Sequence, residues 1–347
     1  MGSKPGCWTR WRGRARTSVT DEPIAVPPDP DRTEPRRRVT LRHRIEYAGV
    51  MTVRAVLKRL PMAAVLGAGS LLGRTFHALD RPHRRLAMEN LEAAFPLRSA
   101  GECRAVAHDM FAHFGRLLMV LLKFSTMTPV EMLARVDFDG DDRVRTAHAH
   151  GRGVLLFTGH FGFWEINALV HALMLNPIAV LARPLDNPLL HDLLERVRTT
   201  TGNAVIYRRG AIRRVLRTLG ANQAVALLID QHIATTDAVY VDFFNRPAAT
   251  TSALAALAMR TGAPVIPVFA LPLPGGRFRM VYEHAVDPPR SGDPEAIREF
   301  TQRCTDVLEM YVRRYPELWL WMHRRWRDSG PAAEHERGMF PAAGAEE

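Results

Sequence analysis

His160 and Glu165 stand five positions apart in the run Thr158-Gly159-His160-Phe161-Gly162-Phe163-Trp164-Glu165. An imidazole whose Nδ1 is held by a carboxylate leaves Nε2 free to take a proton from a hydroxyl, the work of a general base. Five positions correspond to about 140° round an ideal helix, so the two side chains would not share a face in mid-helix. A workable arrangement puts His160 in a turn and Glu165 in the first helical turn, its carboxylate swung back to Nδ1. Backbone N–H groups at that helix start would also face the site. Taken by itself, an isolated H-x₄-E is better read as a satisfied loop histidine beside a helix-start acid that the helix dipole favours. The pair alone leaves both readings open.

The elements around it narrow the choice. After Gly153, runs at Val154–Thr158, Ile178–Ala182, Ala204–Tyr207, Val225–Ile229 and Val265–Ala270 read as buried strands. Helical segments near Trp164–Leu175, Pro188–Thr200, Ala211–Leu219 and Thr251–Thr261 alternate with them. That alternation predicts an α/β fold with a mostly parallel central sheet flanked by helices. Ligands in such folds bind outside the carboxyl ends of strands, and His160 follows the first of these.

Upstream, apolar residues at helical spacing from Arg81 to Leu122, broken by Pro96 and Gly101, predict two helices. The apolar stretch Leu60–Leu72 is thirteen residues long and contains Pro61, short of a membrane span. Arg54, Lys58 and Arg59 beside Val53, Val56, Leu57 and Leu60 suit a helix lying among lipid headgroups, or equally a basic-edged core helix. Gly67-Ala-Gly69-Ser-Leu-Leu-Gly73 follows no strand and fits neither the dinucleotide nor the Walker spacing, so no nucleotide site is expected there.

The chain has 347 residues and a net charge of +11, which favours anionic partners: a membrane surface, nucleic acid, or an acidic protein or substrate. Residues 1–44 carry eleven Lys/Arg and five Asp/Glu among Pro-rich runs, the composition of a disordered tail, and 331–347 read as a second one. No recognised nucleic-acid motif accompanies the dispersed basic residues, so nucleic acid is not an expected partner. No secretory or twin-arginine signal is supported. Cys7, Cys103 and Cys304 are too few and scattered for a disulfide framework or metal site, as in a reducing compartment. The sequence has no G-x-S-x-G elbow and no H-E-x-x-H helix. What remains is a base-catalysed transfer in which the substrate supplies the nucleophile.

Six ordered segments then carry a resemblance: His160-Phe-Gly-Phe-Trp-Glu165, Arg183-Pro-Leu-Asp-Asn-Pro188, Asp230-Gln231, Phe243-Phe244-Asn-Arg-Pro-Ala-Ala-Thr250, Thr261-Gly-Ala-Pro-Val-Ile-Pro267 and Pro316-Glu-Leu-Trp-Leu-Trp-Met-His-Arg-Arg325. From about Tyr47 to Arg327 the chain resembles the late acyltransferases of lipid A biosynthesis, in the lysophospholipid acyltransferase-like group. The resemblance implies a glycerolipid acyltransferase-like fold. It implies one domain over 45–330, with a helical, membrane-associated part at 45–125 and a catalytic α/β part at 150–327. It also implies transfer of a fatty acyl chain from acyl carrier protein, or coenzyme A, to a hydroxyl of a membrane glycolipid. The acceptor expected first is a lipid A precursor; another glycolipid, such as a phosphatidylinositol mannoside, is the alternative, and a non-catalytic membrane-binding homologue the third.

By the same resemblance His160 is the general base and Glu165 its orienting partner, with no metal and no cofactor beyond the acyl thioester. Arg183 is expected to donate to a phosphate or an oxyanion. Asp230 and Gln231 either position the acceptor or hold the Arg183 loop, with a strand-end cap as the structural alternative, and Asn187 organises the turn before Pro188. The expected location is the cytoplasmic face of the inner membrane, peripheral or monotopic, on an anionic surface. Phe163 and Asn245 depart from the Asn and Gly common in the family at those places. Trp319, Trp321 and Trp326 beside Arg324, Arg325 and Arg327 suit a membrane interface, or else a C-terminal helix packing its indoles on the sheet.

Overall fold

Side-chain caps start most of the N-terminal helices. Thr40 accepts from the His43 backbone N–H and opens α1 (Leu41–Arg59), and Pro61 separates it from α2 (Met62–Leu79). Asp80 caps α3 (Arg81–Ala94), and a Ser99/Glu102 capping box opens α4 (Ala100–Phe124). The computed structural model describes residues 38–207, 210–234 and 238–327. The expected tails at 1–44 and 331–347 lie outside these residues except for 38–44. Of those, Leu41–Arg44 form the first turn of α1, a correction that the Thr40 cap explains.

The two helices expected between Arg81 and Leu122 are α3 and α4. The glycines that fit no phosphate loop are a packing seam between α2 and α4. A Cβ on Gly73 would lie 2.0 Å from the Phe111 carbonyl oxygen, and one on Gly115 would lie 2.1 Å from that of Gly69. Only glycine lets the two backbones approach so closely. Among the described residues α4 is long and apolar enough to cross a bilayer, but 56% of its most apolar window is buried.

A short helix α5 (Pro129–Leu133) leads to β1 (Val136–Asp139), α6 (Asp141–Ala149) and β2 (Val154–Thr158). There follow α7 (Trp164–Met174), β3 (Ile178–Leu181), α8 (Pro188–Thr199), β4 (Ala204–Ile206), α9 (Ala211–Gly220) and β5 (Ala224–Leu228). A hairpin of β6 (Ala238–Asp242) and β7 (Pro247–Thr251) precedes α10 (Ala253–Thr261), β8 (Val265–Leu273), β9 (Arg277–Tyr282) and α11 (Pro294–Arg314). The seven-stranded sheet runs β1-β9-β8-β2-β5-β3-β4; every neighbouring pair is parallel except β8 with β9. The α/β, mostly parallel expectation holds. All five β2 residues are buried, which explains why its sequence reads as a continuous apolar run.

The strands that sequence reading leaves out are β1, β6, β7 and β9, which are short or mixed in polarity. β9, for instance, alternates exposed Arg277 and Arg279 with buried Phe278 and Met280. In the β6–β7 turn Phe244 and Asn245 have φ of 57° and 56°. Asn tolerates that region, so its departure from the family's Gly keeps the turn.

Candidate active site

The run that carries His160 leaves the end of β2 and is stitched down on both sides. The Gly162 N–H donates to the Leu318 carbonyl (2.9 Å), and the Leu320 N–H donates to the His160 carbonyl (3.2 Å). Gly162 has φ of 59°, and a Cβ there would meet the Ala270 carbonyl oxygen at 2.1 Å, so the turn requires glycine. From α4, the fully buried His113 donates its Nε2–H to the Gly162 carbonyl at 3.1 Å. Burial pushes the His113 pKa down to about 3, so the ring is neutral and structural.

Asp230, not Glu165, holds the His160 ring. β5 pairs with β2, so Asp230, two residues beyond β5, reaches the His160 turn. Its Oδ1 accepts from His160 Nδ1 at 2.9 Å, and its Oδ2 accepts from the His160 backbone N–H at 2.6 Å and from Trp319 Nε1 at 2.8 Å. This network fixes the proton on Nδ1 and leaves Nε2 as the nitrogen able to accept one. The Asp230 carboxylate is fully buried. Burial alone would raise its pKa, but the charge and hydrogen bond of His160, with the neighbouring His323, carry it well below the usual carboxylate range. Burial disfavours the His160 imidazolium, yet the Asp230 charge and hydrogen bond, with a smaller contribution from Glu165, raise its pKa above the ordinary value.

Glu165 opens α7 as expected but does not touch His160. Arg198 of α8 takes it in a two-point pair, Nε to Oε2 at 2.9 Å and a second, shorter contact from the other guanidinium nitrogen to Oε1. The expected swing back to Nδ1 is therefore corrected. A guanidinium fork satisfies both carboxylate oxygens, and Nδ1 already has a partner. Glu165 acts on His160 through its charge alone.

The other expected residues separate. Gln231 is exposed beside the ring, its Nε2 3.5 Å from His160 Nε2. Arg183 is exposed after β3, on the same sheet edge as His160 and Asp230, and makes no hydrogen bond to any described residue. Asp230 does not hold its loop. Asn187 caps α8 by accepting from Leu189 and Leu190, and donates to the His43 carbonyl and to Glu46 of α1. It is buried, with its side chain engaged on both ends, so it fastens the turn as expected rather than facing a ligand.

Trp319, Trp321 and Trp326 do not face a membrane. All three are buried in irregular chain after α11, and each indole N–H has an internal acceptor: Asp230, the Pro316 carbonyl and the Phe243 carbonyl. Residues that sequence reasoning missed also belong to this support. His323 contacts the Leu320 and Asp230 carbonyls at 2.6 and 3.1 Å. Arg325, 1% exposed, donates to the Gln231 and Ala249 carbonyls and to Thr250 Oγ1. The signal was present in the spacing Trp-x-Trp-x-His-Arg-Arg, whose polar groups needed inward partners.

Beside the His160–Asp230 pair a cavity of about 70 Å³ opens between α7 and the sheet. Leu156, Ala168, Val180, Ala226, Val268 and Met280 line it, with Trp164 and the Glu165–Arg198 pair on its wall. The Trp164 ring also meets the His160 ring edge-on, centroids 5.3 Å apart. A second, polar groove runs past Arg81, Arg85, Arg246, Arg324 and Arg327, with Glu89 as its acidic member. On the outer surface Leu71, Phe76 and Leu79 of α2 and Leu41 and Ile45 of α1 are exposed. Val53 and Val56 are exposed as well, while Leu57 is buried and Arg54 is turned inward onto Ser125, so the basic-edged helix of the sequence is half core and half surface.

An imidazole with a carboxylate on Nδ1, close to an apolar cavity, is an arrangement that could serve the transfer of a hydrocarbon-bearing acyl group. Residues 33–328 match the model of the bacterial lipid A biosynthesis acyltransferase family. The chain belongs to that family. It is 27% identical over 289 residues to the lipid A biosynthesis lauroyltransferase of Escherichia coli K12, covering 82% of this chain and 92% of that one. The myristoyltransferase of the same organism is 25% identical over 252 residues, 72% and 77% of the two chains. The phosphatidylinositol mannoside acyltransferase of Mycobacterium tuberculosis is 26% identical over 284 residues, 80% and 86%. The protein is an acyltransferase.

Proposed function

We propose that this acyltransferase moves a fatty acyl chain from an acyl thioester, on acyl carrier protein or coenzyme A, to a hydroxyl of a membrane glycolipid. The acceptor that fits best is a lipid A precursor. The observation that carries the reading is the His160–Asp230 pair, with Nε2 met only by the exposed Gln231 amide at 3.5 Å among the described residues, beside the apolar cavity under α7. The acceptor hydroxyl gives its proton to Nε2 as its oxygen attacks the thioester carbonyl. The tetrahedral intermediate then collapses, the C–S bond breaks, and the leaving thiolate takes the proton back from Nε2. Asp230 stabilises the imidazolium that exists between the two transfers. Gln231 orients the acceptor, and Arg183 receives an anionic group of either substrate. Glu165 holds Arg198 at the cavity wall and adds its charge to the field on His160. The acyl chain lies in the cavity.

The exposed apolar residues of α1 and α2 support attachment to the cytoplasmic face of the inner membrane without a span. The arginine groove suits an acidic partner such as the carrier protein. A phosphatidylinositol mannoside is the second acceptor to test, because the mycobacterial enzyme matches over a comparable length.

The test is acyl transfer by purified protein in detergent, with acyl carrier protein and coenzyme A thioesters against lipid A precursor, phosphatidylinositol mannoside and lysophospholipid. Product on a glycolipid that is absent with His160→Gln is expected. Gln keeps a donor toward Asp230 but supplies no base. Product from His160→Gln at the wild-type rate would overturn the base assignment, and product on lysophospholipid alone would overturn the acceptor class.

A further inference from the structure

The cavity under α7 is apolar along most of its wall, yet three of its lining side chains are polar and nine-tenths or more buried: Thr158, Asn167 and His171. Thr158 Oγ1, both Asn167 amide atoms and His171 Nε2 reach no hydrogen-bond partner among the described residues. His113 Nδ1, both His148 ring nitrogens and Arg325 Nε also lack a partner among the described residues, but they are scattered, and the buried amides outside this cavity have partners. Asn203, for example, accepts from Ile178 and donates to the Ala168 carbonyl. Asn167 and His171 stand four apart on α7, one turn from each other and on one face. Burial pushes the His171 pKa down to about 3, so its ring is neutral, and its Nδ1 is already occupied by the Tyr282 hydroxyl at 2.9 Å. Thr158 precedes His160 by two residues, so its Cα lies within about 7 Å of that of His160, and it marks the part of the lining nearest the imidazole along the chain.

A saturated hydrocarbon filling this space would leave all four atoms without partners, which a buried site tolerates poorly. Hydroxyl or keto oxygen answers them. A hydroxyl donates to the Asn167 carbonyl oxygen and accepts from its amide, and Thr158 can serve either role. We propose that the cavity under α7 selects a donor acyl chain that carries an oxygen function, a hydroxyl or keto group, in the half next to the thioester, and that Asn167 reads it. The inference rests on the reading that the donor chain occupies this cavity. Asn167 is then a specificity-determining residue. Sites built to hydrogen-bond a substrate hydroxyl discriminate far more strongly against an analogue without it than apolar pockets do between chain lengths.

The experiment measures kcat/KM for dodecanoyl-, 2-hydroxydodecanoyl- and 3-hydroxydodecanoyl-acyl carrier protein with wild-type protein, Asn167→Leu and Asn167→Ala, on whichever acceptor gives product. Wild type is expected to prefer one hydroxylated donor by about 10-fold or more. Both variants should lose that preference, chiefly by gaining on the plain chain, with the pH profile set by His160 unchanged. If wild type uses plain and hydroxylated donors equally, the proposal is overturned and water is the partner of these groups. A wild-type preference that survives in both folded variants overturns the assignment to Asn167. Absence of product from every donor overturns the acyltransfer reading itself, an outcome distinct from equal use.

Discussion

The two faces of the central sheet are built to opposite ends. On the α11 side, aromatic rings close every gap: Phe269 stacks on Tyr311 at 3.8 Å, Trp319 meets Trp321 edge-on at 4.7 Å, and Phe243 lies against Trp326. Most polar groups that enter this layer are matched, Arg325 Nε being an exception, and the Asp230 carboxylate receives three donors. On the α7 side the sheet leaves a cavity whose polar lining atoms await partners. The dense face fixes the His160 imidazole, and the hollow face leaves the space that the proposed acyl chain would take. A preorganised base needs rigid support, whereas a substrate chain needs room.

Breaking the dense side should have the largest effects. His160→Gln should lower turnover on the order of 10²- to 10⁴-fold, read as acyl transfer by protein whose circular dichroism matches wild type. Asp230→Asn removes both the charge and the tautomer lock. Turnover should fall about 10²-fold or more, and the acid limb of the rate profile should move to lower pH because the His160 pKa is no longer held up. Trp319→Phe removes one donor from the buried carboxylate while keeping the ring. It should cost about 1–3 kcal/mol of stability in denaturant unfolding and move the acid limb slightly upward, since a less satisfied Asp230 attracts the imidazolium more strongly. An acid limb that moves downward would show that the indole does not act through Asp230.

The smallest effect on rate belongs to a residue that packs beside the site without entering it. Phe163 is buried against His113 and Phe278 at the N-cap of α7, where it makes no side-chain cap. Phe163→Asn would gain a cap of about 1 kcal/mol and lose packing of about 3 kcal/mol. A lower melting temperature with turnover within a few-fold of wild type is expected. A rate loss comparable to that of Asp230→Asn would place Phe163 in the site.

Much of the sheet was legible because its central strands are buried on both faces and read as unbroken apolar runs, as in Val154–Thr158. Strand β9 and the β6–β7 hairpin were not, since their residues alternate in exposure or are too few to stand out. The place of His160, in the turn after a buried strand, was legible. Its partner was not, because Asp230 is 70 residues away in sequence and only the pairing of β5 with β2 brings it to Nδ1. Glu165 was the nearer acid along the chain, but Arg198, from another helix, claims it. The Gly67–Gly73 run was excluded as a nucleotide site from its spacing, but the reason for its small residues, the α2–α4 seam, came only with the fold.

The central claim is that Asp230, and not Glu165, sets the basicity of His160. It is tested most directly by the pH dependence of kcat/KM for wild type, Asp230→Asn and Glu165→Gln. Wild type should lose activity below an acid-limb pKa higher than that of an ordinary histidine. Asp230→Asn should shift that limb to distinctly lower pH with a large fall in the plateau, and Glu165→Gln should shift it in the same direction by much less. A large shift and loss with Glu165→Gln, alongside a wild-type profile for Asp230→Asn, would contradict the account.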